Sequence, residues 1–178
     1  EQQQNYLPGV PEGSDLCITP VSSPENHYVR IKADNRLEAD GTLRGTFTLT
    51  AEGQSDSNIR RIFTTGFQSE WKSTMERQLL TISPKARLLS VDYGKNPKDY
   101  QAAPIKITFR YEIPDYALKG EGEMFFRPMV MNNLYNQVRS YLRIDTSVEN
   151  RKYGFKDGCS RLVELDEMIQ LPAGYKLV

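Results

Sequence analysis

The chain has 178 residues, with 23 basic and 23 acidic side chains, so its formal net charge is zero. This balance and the lack of a basic stripe argue against a nucleic-acid binder, and no run approaches the roughly 20 apolar residues of a transmembrane segment. Hydrophobic residues make up 38% of the sequence, which is enough for one domain with a core and argues against disorder of the whole chain.

The first 25 residues are rich in Gln, Pro, Gly and Ser and show no hydrophobic period. Proline and glycine at this density interrupt both helices and strands. We therefore predict an extended linker over residues 1–25 and a domain over residues 26–178. Four apolar side chains are expected to hold the linker against the domain: Leu7, Val10, Leu16 and Ile18.

Strands with one buried face are predicted where large apolar residues alternate with polar ones. The clearest case is residues 105–113, in which every second residue is large and apolar. Residues 28–34 and 42–51 predict a hairpin, because Gly41 suits the positive φ of a turn between them. Further strands are predicted over residues 88–93, 123–131, 160–171 and from Tyr175 onward, and the last of these suggests a domain truncated at its C-terminus.

Two short helices are predicted after the hairpin. The first is expected around residues 59–63, between N-cap candidates at residues 55–57 and Gly66. The second is expected over residues 69–81 and ends before Pro84. One apolar stripe follows it at helical spacing: Phe67, Trp71, Met75, Leu79 and Ile82.

These elements predict a mainly β fold, an antiparallel β-sandwich that is immunoglobulin-like in broad architecture, with two short inserted helices. Residues 132–145 fit either a helix or an irregular loop. The predicted core comprises Ile31, Phe47, Leu49, Trp71, Leu79, Leu89, Val91, Ile107, Phe109, Tyr111, Val163, Leu165 and Ile169.

Cys17 and His27 are the first candidates for catalysis, because a thiol nucleophile needs a base within hydrogen-bond reach. Both lie in or beside the proline-rich linker, which positions side chains poorly, so an incidental cysteine and a surface histidine are the favoured interpretation. Cys17 and Cys159 form either one disulfide or two free thiols. Because His27 is the only histidine, a Cys/His zinc site lacks ligands, and no metal or cofactor is predicted.

Two pairs of acidic residues are candidates for acid–base catalysis. Glu121 and Glu123 are two residues apart, as are Glu164 and Asp166, so each pair shares one face of a strand. Acid–base chemistry needs two environments that separate the two pKa values. A solvated polar face is the favoured interpretation, also for the adjoining Glu167.

Three tyrosines are candidate ligand contacts. Tyr135, Tyr141 and Tyr153 fall in irregular segments, where exposed aromatic rings stack on sugars in carbohydrate-binding domains. Packing in the core or at its rim is the alternative, because aromatic side chains fit pleated surfaces well.

A resemblance to a known family rests on four short features. They are Asp40-Gly41-Thr42-Leu43-Arg44-Gly45, the polar exit Glu52-Gly53, the Arg60-Arg61 helix, and Glu167-Met168-Ile169-Gln170-Leu171-Pro172-Ala173-Gly174-Tyr175. Together they resemble the uncharacterised C-terminal β-domain region that follows the transglutaminase-like core in Bacteroidetes cell-envelope proteins. The resemblance covers residues 15–178.

The resemblance implies a non-catalytic accessory or interaction domain in the periplasm, secreted or at the cell surface. The implied partners are the upstream transglutaminase-like domain of the same parent chain, other envelope proteins or glycans. The family's Cys-His-Asp triad finds no match here, so no catalytic residue is carried over. Two alternatives stay open: a carbohydrate- or cell-surface-binding module, and a small cysteine hydrolase that uses Cys17 and His27.

Overall fold

The structure is a computed structural model that describes residues 3–102, 104–130, 147, 149–150, 152–153 and 158–177. The strands within these residues are β1 (Asn5–Tyr6), β2 (Cys17–Ile18), β3 (Tyr28–Leu37), β4 (Leu43–Ala51), β5 (Arg87–Asp92), β6 (Ile105–Ile113), β7 (Leu118–Lys119), β8 (Met124–Phe125) and β9 (Leu162–Gln170). The helices are α1 (Gly53–Thr64) and α2 (Trp71–Leu80), and 3₁₀ turns lie at Pro24–Asn26 and Gln68–Glu70.

Five strands form one mixed sheet in the order β5-β6-β4-β3-β9. The pairings β5–β6, β6–β4 and β4–β3 are antiparallel, as predicted, whereas β9 runs parallel to β3. The prediction of an antiparallel domain is therefore wrong at this edge. The physical reason is that β3 and β9 are far apart in the sequence, so no tight hairpin turn fixes their relative direction as antiparallel.

The predicted hairpin is confirmed as β3 and β4. Their register is unbroken from Val29 opposite Ala51 to Leu37 opposite Leu43. Gly41 in the turn has a φ of 89°, and the backbone N–H of Thr42 donates to a carboxylate oxygen of Asp40 at 2.8 Å. The turn residues therefore set the pairing that aligns the two strands.

The core lies between one face of the sheet and the two helices. Seven predicted core residues are buried there, and Phe47 stacks on Phe109 with 4.3 Å between ring centroids. The seven are Ile31, Phe47, Trp71, Leu79, Ile107, Phe109 and Tyr111. Five others are half-buried against this cluster: Leu49, Val91, Val163, Leu165 and Ile169.

The strand-rich class with two short helices is confirmed, but a sandwich is not. In the part of the chain that the structure describes, helices cover the core face of the five-stranded sheet. The other strands there form two small ribbons, β1 with β2 and β7 with β8. We call the other side of the large sheet the open face; it carries Thr and charged residues, and no described element lies over it as a layer.

Leu89, which is predicted to lie in the core, and Phe67, which is predicted to begin the apolar stripe of the second helix, are both exposed. Leu89 is 48% exposed because a bulge between Leu88 and Ser90 turns it outward and leaves Leu88 against the core. Phe67 is 76% exposed, since it precedes α2 and does not continue the stripe of that helix.

Both ends of the described chain also differ from prediction. Leu7, Val10, Leu16 and Ile18 are all exposed, because the linker forms its own β1–β2 ribbon instead of lying on the core. No strand begins at Tyr175 within the described residues; its backbone N–H donates to the carbonyl of Pro172 in a turn. None of the described helices has the length and apolar character required to span a membrane.

Candidate functional site

The open face holds a depression of about 520 Å³. It forms where the short side chains of Asp34 and Thr46 lie between the long side chains of neighbouring strands. The strand register places Asp34, Thr46 and Arg110 in one row across β3, β4 and β6. The full lining is Asp34, Asn35, Arg36, Arg44, Gly45, Thr46, Leu89, Arg110, Tyr111, Met168 and Gln170.

The depression has an excess of positive charge. It is lined by three guanidinium groups and by one carboxylate, that of Asp34. Two of these guanidinium groups are in ion pairs: Arg36 lies 3.4 Å from Glu38, and Arg44 lies 3.3 Å from Glu112. Glu112 also pairs at 3.2 Å with Arg87, which does not line the depression. Arg110 is exposed and forms no ion pair with any residue that the structure describes. Such exposed guanidinium groups can bind a carboxylate through two parallel hydrogen bonds.

A buried polar network lies on the core face, directly behind the depression. The hydroxyl of Tyr111 donates to Oδ1 of Asn35, and Nδ2 of Asn35 donates to Oε1 of Glu167 at 2.7 Å. The carboxylate of Glu167 also accepts the backbone N–H groups of Met129 at 3.1 Å and Val130 at 2.8 Å. The network therefore links β3, β6 and β9 to the segment at Met129.

Two tyrosine pKa values respond to this environment. Burial raises the pKa of Tyr111 above its ordinary value, and the negative charge of Glu167 raises it further. Burial, again with Glu167, raises the pKa of Tyr116 to about 12. Both hydroxyl groups therefore stay protonated at neutral pH, and Tyr111 acts as a hydrogen-bond donor inside the network.

Gly45 makes room for the network. It lies on β4 between Asn35 of β3 and Tyr111 of β6. A Cβ atom at this position would lie 2.5 Å from the carbonyl oxygen of Asp34 and even closer to Oδ1 of Asn35. Any larger residue here would displace the Asn35 side chain or separate the strands.

Glu167 was assigned to a solvated face from the sequence, and that assignment is wrong. Glu164 and Asp166 are exposed on the open face, as predicted, and Glu164 pairs with Arg30. Glu167 is half-buried on the opposite face and binds the network. The sequence does carry a signal, since Glu167 is in phase with the core-facing residues Val163, Leu165 and Ile169.

The structure does not join Cys17 and His27 into a catalytic pair. Nδ1 of His27 accepts the backbone N–H of Gln54 at 3.1 Å, and the His27 carbonyl accepts the hydroxyl of Ser55 at 3.2 Å. His27 therefore satisfies donors in the first turn of α1. Cys17 instead contacts the carbonyl of Asp15 at 3.6 Å, and no disulfide joins it to Cys159.

Arg60, one of the two adjacent arginines of α1, is buried in the structure. It forms an ion pair with Asp56 at 2.6 Å and donates to the carbonyls of Pro97 at 3.1 Å and Asp99 at 2.9 Å. These contacts hold the loop that leads into β6, so the role of Arg60 is structural.

Of the three candidate ligand-contact tyrosines, the structure describes Tyr153. Tyr153 is 75% exposed, and Nζ of Lys152 lies 5.6 Å from its ring centroid. Tyr135 and Tyr141 lie outside the described residues.

No group of three or more potential metal ligands lies together within the described ranges. Comparison of the chain with protein-family models, curated proteins and solved structures found no match. The depression on the open face is therefore the candidate functional site on its geometry and charge alone.

Proposed function

We propose that this chain is a non-catalytic interaction domain that binds a partner through the open face of its sheet. The observation that supports this is the exposed, positively charged depression beside Arg110, on a sheet whose other face is packed against helices. Arginine is enriched at protein interfaces because it combines a charged fork with an apolar stem.

In this proposal the domain is the accessory domain of a transglutaminase-like cell-envelope protein, located in the periplasm, secreted or at the cell surface. Support comes from the sequence resemblance alone. The stretches that carry it include residues 40–45, at the β3–β4 turn, and residues 167–175, at the end of β9. The upstream transglutaminase-like domain is the first partner to test. The immunoglobulin-like sandwich architecture remains a prediction.

The two alternative functions have less support. For carbohydrate binding, Tyr153 offers an exposed ring, and Tyr135 and Tyr141 lie outside the described residues. For a cysteine hydrolase, Nδ1 of His27 is occupied by the N–H of Gln54. An activity of the purified chain that Cys17→Ala abolishes would revive the hydrolase and contradict the proposal.

Site-specific photocrosslinking tests the proposed binding face. Lys32 lies exposed on the open face, and Lys72 lies exposed on the outer side of α2, so the two form a matched pair. Each is replaced by benzoylphenylalanine in the parent protein, in the cells that make it. We expect protein adducts from position 32 and none from position 72; equal adducts, or adducts from position 72 alone, would contradict the proposal.

A further inference from the structure

The depression on the open face combines charge with apolar ends. Arg36, Arg44 and Arg110 lie in its interior. Leu89 of β5 and Met168 of β9 line it as well, and they are 48% and 68% exposed. A partner with both carboxylates and apolar side chains would therefore find a complementary group for each.

The sheet order fixes the distance between the apolar ends. Because β5 and β9 are the two edges of the five-stranded sheet, Leu89 and Met168 are separated by four strand spacings. At about 4.8 Å per spacing this is about 19 Å, which an extended peptide spans with about six residues. A peptide that crosses the strands between these ends would pass over Arg110, Thr46 and Asp34, with Arg44 and Arg36 in the adjoining row.

Resting on the proposed function, we infer that the depression binds an acidic peptide segment of a partner protein. Carboxylates in the middle of the segment pair with Arg110 and its neighbours Arg36 and Arg44. Apolar side chains at the two ends of the segment contact Leu89 and Met168. Arg110 is the main anchor, because it has no ion-pair partner among the described residues.

The same face argues against a long polyanion such as a nucleic acid. Asp34 lies within the depression, and Glu164 and Asp166 are exposed on the same face along β9. A uniformly charged chain that crosses this face would approach these carboxylates and be repelled. A short segment with its charge confined to the centre avoids most of them.

Fluorescence anisotropy with the full chain tests the inference. The probe is a labelled hexapeptide with leucine at both ends and four glutamates between them, and the control probe has glutamines in place of the glutamates. Two variants are compared: Arg110→Ala, and Lys106→Ala as the matched control, an exposed cation on the same strand and face that does not line the depression. Circular dichroism verifies that both variants are folded.

We expect the glutamate peptide to bind and the glutamine peptide not to bind. Arg110→Ala should weaken binding about fivefold, as expected for the loss of one exposed charge pair, and Lys106→Ala less than about twofold. The inference is overturned if the glutamine peptide binds equally well, if both variants weaken binding equally, or if the glutamate peptide does not bind. Tighter binding of inorganic polyphosphate would also overturn it, since the face would then select a polyanion.

These outcomes separate the inference from the function on which it rests. Crosslinks from position 32 without binding of the glutamate peptide would keep the interaction face and reject the acidic ligand. The absence of both would reject the two proposals together.

Discussion

Near Gly45, polar side chains on the core face of the sheet are hydrogen-bonded inside the protein, whereas those on the open face are exposed to solvent. On the core face, Tyr111, Asn35 and Glu167 each bind a partner inside the protein. On the open face, Arg110 has no ion-pair partner among the described residues. Burial makes an unpaired polar group costly, whereas an exposed charge keeps its water. The core-face network is therefore expected to stabilise the fold, and Arg110 on the open face is available to bind a partner.

The largest effect should come from Gly45→Ala, because Gly45 lies between Asn35 and Tyr111 of the core-face network. The added methyl group would overlap Oδ1 of Asn35 and lie 2.5 Å from the backbone oxygen of Asp34. Because a backbone atom cannot move away cheaply, we expect the free energy of unfolding to fall by about 3 kcal/mol. Urea unfolding followed by circular dichroism measures this.

Gly9→Ala is the matched control for this substitution. A Cβ atom at Gly9 meets nothing within 4 Å. Its effect should be below about 0.5 kcal/mol, the range of surface substitutions. If Gly45→Ala were equally mild, the network would not depend on the space that Gly45 leaves.

A smaller loss is expected from Glu167→Gln. The carboxylate of Glu167 accepts three N–H groups, from Asn35, Met129 and Val130. A glutamine offers one acceptor oxygen, so its amide N–H₂ would face a donor, and we expect a loss of about 2 kcal/mol. Asp166→Asn changes the neighbouring residue on the open face and should cost almost nothing in the same urea titration. A similar loss in both variants would contradict the distinction between the two faces.

Local patterns are enough to predict most of the fold. Strict alternation over residues 105–113 predicts β6, and all five of its apolar positions are buried, because side-chain direction in a strand depends only on its immediate neighbours. The parallel pairing of β9 with β3 does not follow from alternation, since it depends on where a long connection returns. Leu89 is likewise mispredicted, because it is the extra residue of a bulge between Leu88 and Ser90 and so falls out of the alternation.

The candidate site is harder to predict than the fold. Arg36, Arg44 and Arg110 are ordinary polar positions in the sequence, and only the register of β3, β4 and β6 brings them to one depression. The position of Glu167 could be predicted from the sequence, because it alternates along β9 in phase with residues that face the core. The tyrosine prediction depended on irregular segments, where no period indicates which way a side chain points.

The smallest effect should appear at high pH and should involve the core face through Tyr111. Burial and the charge of Glu167 raise the pKa of Tyr111 above the ordinary value of about 10. In the unfolded chain the same hydroxyl ionises near pH 10. Above that pH the unfolded state releases a proton that the folded state retains, so stability is lost as the pH rises.

Urea unfolding at about pH 8 and at about pH 11 should therefore separate wild type from Tyr111→Phe. For a buried tyrosine that stays protonated when folded, the linked loss at about pH 11 is about 1.4 kcal/mol. At about pH 8 the Tyr111→Phe variant should be less stable than wild type, because Oδ1 of Asn35 loses its donor. Its free energy of unfolding should, however, decrease less between the two pH values. Burial also raises the pKa of Tyr116 to about 12, so Tyr116 contributes a pH-dependent loss of stability in both proteins. An equally steep fall in the variant would mean that Tyr111 ionises in the folded state, and the core-face network would then not be closed to water.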